Sequence, residues 1–174
     1  PTGPQRMMLK GTPLQHTSNL SSFAEYMLVH ERSVVKIRTD MPLDRAAVIG
    51  CAVMTGAGAV FRTAKVEPGS TVAVIGLGGI GLSAVNGAAI AGAGRIFAID
   101  KVASKLDLAK EFGATDVVDA SATDPIKAIR EMTGGGVEYS FECVGSKTTV
   151  EQALEMAREL LAAYARAVAA EEGG

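Results

Sequence analysis

An α/β protein built on a parallel, incomplete sheet of about four strands is the architecture this sequence predicts, and three observations carry it. Between residues 71 and 148, β-branched runs alternate with helix-forming stretches at the spacing of βαβ units. The first run, Thr71–Ile75 (TVAVI), is apolar throughout, as in a strand covered on both faces. Directly after it comes the cluster Gly76-Leu77-Gly78-Gly79-Ile80-Gly81, where a strand must turn sharply into a helix. Composition agrees: 174 residues, 48% apolar and 21% charged, describe a globular chain long enough to bury a core. Seventeen basic against 19 acidic residues leave a net charge of −2, and no window gathers a basic patch, so no nucleic-acid partner is expected.

Taken in order, residues 1–20 hold three of the six prolines and no sustained period, which reads as loop. Residues 22–37 carry two strand-like runs separated by the polar His30-Glu31-Arg32-Ser33. Asp40 ahead of Pro42 marks a helix start, the proline sitting where a missing N–H costs nothing. That helix is expected to reach Cys51, to be interrupted by Thr55-Gly56-Ala57-Gly58, and to resume as far as Val66 before a turn over 67–70.

After the glycine loop a helix runs to Ala91, closed by Gly92 and Gly94. Arg95–Asp100 is the second strand, 104–112 a helix ending at Gly113, and Asp116–Asp119 the third strand. Pro125–Thr133 is a helix stopped by three glycines, and 137–144 the fourth strand. A long alanine-rich helix is expected over 149–172. The expected divisions are 1–41, connecting helices over 42–70, a core over 71–148, and the helical stretch 149–174.

The glycine loop carries the chemistry. Gly76 permits the tight turn, Gly78 lets backbone approach a pyrophosphate, and Gly81 lets the helix lie close to the sheet. The phosphates would rest on the helix N-terminus at Gly79 and Ile80, where unpaired N–H groups and the helix dipole favour anions. A bare GxGxxG is also found in ordinary glycine-rich turns. Here the second strand ends at Asp100, 19 positions beyond Gly81, where a carboxylate is suited to adenosine ribose hydroxyls. The bland alternative for Asp100 is a strand-end residue capping the next helix. As a ribose ligand it would repel a 2′-phosphate, favouring NAD over NADP, with Lys101 and Lys105 partly offsetting it.

Other candidates are weaker on spacing alone. Cys51 reads as a small buried hydrophobe or as a metal ligand, with no co-ligand near it in sequence. Cys143 falls inside the fourth strand and reads as core, while His16 and His30 lie in polar segments. Two cysteines argue against a disulfide framework and for a reducing, cytoplasmic setting. The polar start lacks a signal-peptide core, and the apolar window 72–91 reads as strand plus helix, so no membrane partner is expected. No serine-elbow or ATP-loop pattern is present.

Several motifs together resemble the zinc-dependent alcohol dehydrogenases of the medium-chain dehydrogenase/reductase family. They are Gly50-Cys51-Ala52-Val53-Met54-Thr55-Gly56, Lys65-Val66-Glu67-Pro68-Gly69-Ser70 and the loop from Gly76 to Gly81, joined by the SFAEY and FGATDVVDA stretches. The resemblance runs from about Gly11 to Arg158 and is closest to the longer alcohol and thiol-dependent formaldehyde dehydrogenases. It implies a Rossmann-type NAD domain over 71–148, a catalytic-domain remnant over 1–41, and hydride exchange between a small alcohol or aldehyde and NAD. Cys51 would be the third ligand of the catalytic zinc and Thr55 would lie against the nicotinamide, while Asp100 and Lys105 would hold the ribose. The family's other zinc ligands have no counterpart in this sequence, and the likeness stops at Arg158. The expectation is therefore a central fragment with a divergent C-terminus, its fourth strand left as a sheet edge open to self-association.

Overall fold

The structure is a computed structural model and describes residues 7–14 and 25–157. The chain divides into two compact units, Pro1–Met41 and Pro42–Gly174. The described residues of the first unit contain an antiparallel pair, β1 (Met7–Leu9) and β2 (Thr12–Leu14), where a loop was expected. The reason is the two-residue turn: Lys10 and Gly11 both adopt positive φ (48° and 82°), the backbone that matches hairpin twist. Pro13 is tolerated because a two-stranded pair leaves an edge on each side. Conversely, the strand-like runs expected over 22–37 form no strand within 25–37, where a short 3-10 turn at Glu31–Ser33 interrupts extended chain. Tyr26, Leu28 and Val35 are each more than four-fifths exposed, so β-compatible residues there lack a partner edge among the described residues.

The second unit opens with α1 (Leu43–Ala46), entered at Pro42 without a side-chain cap. Asp40 does not cap it, because both its carboxylate oxygens accept from the Arg38 guanidinium at 2.9 and 2.6 Å. Helical backbone then continues through π-helical turns (Ile49–Val53), α2 (Met54–Gly58) and further π-helical turns (Ala59–Ala64), ending at left-handed Lys65. The break expected at Thr55-Gly56-Ala57-Gly58 is absent. Gly56 serves contact instead: a Cβ there would collide with the Ile80 carbonyl and lie 2.7 Å from Ser83 Cβ. The stretch Leu43–Ala64 is long and apolar enough to cross a membrane by length and composition. Gly56 and Val60 are buried on it, whereas Leu43, Val48, Met54 and Phe61 stay exposed.

The remainder is a four-stranded, wholly parallel Rossmann-like sheet. β3 (Thr71–Ile75), β4 (Arg95–Asp100), β5 (Asp116–Asp119) and β6 (Tyr139–Glu142) lie in the order β5-β4-β3-β6. Period-two alternation sorts their side chains to two faces. Val72, Val74, Ile96 and Ala98 pack with Ala84, Val85 and Ala88 of α3 (Gly79–Ile90) and with Leu106 and Ala109 of α4 (Ala103–Glu111). Ala73, Ile75, Phe97, Ile99 and Val118 pack with Ile129 of α5 (Pro125–Thr133) and with Ala153 and Met156 of α6 (Lys147–Met156). With both faces covered, β3 and β4 are apolar in nearly every position, as a central parallel strand must be.

Local signals set the helix ends. Asp124 caps α5 through the N–H groups of Ile126 and Lys127, Pro125 fills its first position, and Gly134 closes it at φ 67°. The helix expected over 149–172 leaves helical backbone at Met156: Ala157 is extended and bridges in parallel to Val137. The rest of that expected helix lies outside the described residues. Between 139 and 142, β6 pairs with β3 alone among the described residues.

Candidate dinucleotide site

From β3 the chain winds outward through β4 to β5 and then crosses back to β6 on the other side of β3, so the strand order reverses at β3 and a crevice opens beyond the strands' carboxyl ends. A cleft of about 600 Å³ occupies that position. Its walls include Gly76, Leu77 and Gly78 on one side, Asp100, Lys101 and Lys105 on another, and Val144, Ser146, Thr149 and Gln152 opposite.

Each glycine of the loop answers a different demand. Gly76 has φ 89°, and a Cβ there would stand 2.5 Å from Val144 Cγ2, so both conformation and space require glycine. At Gly81 a Cβ would meet the Gly76 carbonyl, which keeps the first turn of α3 tight against the loop. Gly78 has ordinary φ (−78°) and open space where a Cβ would stand. Nothing within the protein demands glycine there, and a ligand pressed against the backbone would. Gly78 is also the N-cap of α3 and offers no side-chain cap, leaving first-turn N–H groups for an anion. Gly79 and Ile80 belong to that turn without lining the cleft; a Cβ on Gly79 would be 3.1 Å from Ala52 Cβ.

Asp100 ends β4 with a side chain only 11% exposed. Its Oδ2 accepts the Leu77 N–H (2.8 Å), and its Oδ1 accepts those of Lys101 (2.7 Å) and Val102 (3.0 Å). The carboxylate thus ties the glycine loop to the β4–α4 turn, and it does not cap α4, whose N-cap Val102 has no side-chain bond. Lys105 Nζ lies 3.6 Å from Oδ2. Burial pushes the Asp100 carboxyl up, but the three backbone donors and Lys105 outweigh it and hold it below the usual carboxylate range. A charged acid therefore faces the cleft at neutral pH.

Cys51 and Thr55 are exposed on the helical stretch whose Gly56 packs on α3, near the start of that helix, and neither lines the cleft. Cys143 is half-buried, lines the cleft, and has its thiol pushed up to about 11 by burial and by Glu142. A thiol so placed is protonated at neutral pH and is a poor nucleophile. His30 accepts the Arg32 N–H at its own turn, and His16 lies outside the described residues. Among the described residues no three His, Cys, Asp or Glu side chains converge on one point, so they do not fit a zinc site.

The far wall of the cleft is formed by residues that the sequence did not single out. Val144, Ser146 and Thr149 line it, and Glu142 stands behind them. A local signal was present: an acid ends β6 as another ends β4, followed by glycine and a serine N-cap.

Known proteins share this arrangement. Residues 79–161 match the family described as zinc-binding dehydrogenase. The class-3 alcohol dehydrogenase of Pisum sativum is 48% identical over 152 residues, covering 86% of this chain and 40% of the pea protein. An S-(hydroxymethyl)glutathione dehydrogenase of Photobacterium damsela subsp. piscicida is 47% identical over 159 residues, covering 90% of this chain and 43% of its own length. Among solved structures, an alcohol dehydrogenase zinc-binding domain protein from Burkholderia ambifaria superposes with TM-score 0.68 at 42% identity, over 71% of this chain and 33% of its own. The benzyl alcohol dehydrogenase of Acinetobacter calcoaceticus gives 0.69 at 40% identity, over 72% and 35%. The chain thus spans about two-fifths of the length of the curated relatives it matches. With these likenesses running through the glycine loop, the strand-end acid and the parallel sheet as one linked stretch, the chain is homologous, over about two-fifths of their length, to the zinc-dependent alcohol dehydrogenases of the medium-chain dehydrogenase/reductase family.

Proposed function

We propose that this chain is the NAD-binding part of a zinc-type alcohol or aldehyde oxidoreductase. The observation that carries the reading is the ionised Asp100 at the cleft wall, tied by its own hydrogen bond to a glycine loop whose second glycine faces open space. Bound there, the dinucleotide supplies a hydride acceptor or donor. The chain's residues contribute binding and orientation: the first turn of α3 receives the pyrophosphate, and Asp100 and Lys105 receive the adenosine ribose. Thr55, near the start of α3, is the candidate contact for the nicotinamide end. A small alcohol or aldehyde is the expected substrate class of the whole enzyme, by analogy with relatives named for such compounds. The two free cysteines are in keeping with a reducing, cytoplasmic setting.

Fluorescence titration of the folded chain tests the cofactor. NADH should bind at least about tenfold more tightly than NADPH, since the Asp100 carboxylate repels a 2′-phosphate. Equal or reversed affinities would defeat the assignment of Asp100.

A second reading, an NAD(H)-holding module without turnover of its own, is favoured for this stretch by its lack of a converging ligand set among the described residues. Purified chain should carry no stoichiometric zinc and oxidise no alcohol. One tightly held zinc per chain in metal analysis would overturn that reading and point to His16, His30 or Cys143 completing a site with Cys51.

A further inference from the structure

We propose that Glu142 is a positioning residue for the dinucleotide cleft, its carboxylate clasping the loop after β6 to the first turn of α6 so that the far wall stands opposite the glycine loop. The inference rests on the proposed NAD site. Glu142 does not line the cleft, but Val144 and Thr149, two of the three residues it holds, do. Its Oε1 accepts the Val144 N–H (2.7 Å), the Gly145 N–H (2.9 Å) and the Thr149 hydroxyl (2.7 Å), and Oε2 accepts Gly145 again at 3.1 Å. One carboxylate thus joins strand, loop and helix.

The loop so held is the one that touches the phosphate-binding turn. Val144 Cγ2 fills the space beside Gly76, and Cys143 Cβ lies 3.6 Å from where a Gly81 side chain would begin. Gly145 turns the chain at φ 83°, and Ser146 then caps α6 through the Thr149 N–H at 3.2 Å while its hydroxyl meets the Thr149 hydroxyl at 2.8 Å. Thr149 is therefore fixed from two sides, by Ser146 and by Glu142. The other strand-end acids differ. The Asp119 carboxylate bonds the N–H and hydroxyl of Ser121 and also faces the Ala122 N–H, so its side chain shapes nothing beyond its own turn. Asp100 lines the cleft itself. Burial pushes the Glu142 carboxyl up, but Thr149, Gly145 and Val144 outweigh it, so it remains the charged acceptor these donors need.

The test uses the 174-residue chain with NADH as probe, alongside hydrogen exchange without ligand. Glu142→Ala should weaken NADH binding about tenfold and speed exchange at the Val144 and Gly145 amides. Glu142→Gln keeps a carbonyl oxygen in the Oε1 position and should restore binding to within about threefold of wild type, a rescue that a loss of general stability would not show. Should Glu142→Ala fail to fold, Thr149→Val removes one donor and should give an intermediate loss. The proposal is overturned if wild type binds NADH and Glu142→Ala binds it equally with unchanged exchange, or if Glu142→Gln is as weak as Glu142→Ala while both amides stay protected. Wild type that fails to bind NADH overturns the proposed NAD site itself, and the positioning role with it.

Discussion

Asp100 does two jobs with one carboxylate. It holds three backbone N–H groups that would otherwise lose this acceptor, and it presents negative charge to the cleft. Asp100→Asn keeps a single acceptor oxygen, so it should destabilise the chain by about 1–3 kcal/mol and erase the preference for NADH over NADPH. Thermal melting and paired titrations read the two effects separately. The pH dependence follows from the same bonds. A carboxyl held below its unfolded value contributes stability that is fully present above that value and lost as pH falls through the folded one. Melting temperature should therefore hold from pH 7 to about 5 and fall below about pH 4, with a smaller fall in Asp100→Asn. A pH profile identical in both proteins would show that Asp100 is not the group responsible. Asp100 was legible from its place at a strand end 19 residues beyond Gly81. Its bond to Leu77 was not, because that contact joins residues 23 apart.

Among elements, the helical stretch from Leu43 to Ala64 and α3 meet through glycine. Glycines inside a helix ordinarily weaken it, which is why the sequence pattern reads as a break. Close contact with α3 turns the same residue into a requirement: Gly56 is buried where any side chain would strike Ile80, Ser83 and Ala84. Gly56→Ala should consequently separate the helices at a cost of about 1–3 kcal/mol or more. Gly78→Ala, with open space and ordinary φ, should leave the melting temperature nearly unchanged while weakening NADH binding. Chemical denaturation with a matched NADH titration checks both. Equal loss of stability from the two substitutions would show that Gly78 is required by the fold and not by a ligand.

For the whole molecule, the sheet's two edges are unlike. Both edge strands are four residues long, but β5 begins and ends with an aspartate, while β6 carries half-buried Tyr139 and Phe141 beside an outer edge unpaired over 139–142 among the described residues. Ala157 bridges Val137 at one end of that edge, so the chain begins to run parallel to it. An open, apolar, β-compatible edge recruits further strands. The isolated chain should therefore self-associate as its concentration rises through the micromolar range in sedimentation velocity. A single monomeric species with protected β6 amides would show instead that the chain covers this edge itself.

Most of what depends on neighbours along the chain was legible in the sequence, the local hairpin over Lys10-Gly11 excepted. Apolar runs bounded by turn glycines marked β3, β4 and β5. The Asp124-Pro125 start and the glycine stop marked α5, and the glycine loop with its strand-end acid marked the candidate cofactor site. Whatever depends on a partner distant in sequence emerged only from the fold. Strand-like residues over 25–37 find no edge to pair with among the described residues, and Gly56 joins two helices where a break was expected. Cys51 is left without converging ligands among the described residues, and Glu142 comes to stand behind the cleft's far wall. The physical reason is that hydrogen bonds within a turn or helix are satisfied locally, whereas ladder pairing, close packing and ligand convergence need a second surface. That surface is supplied only by the folded chain.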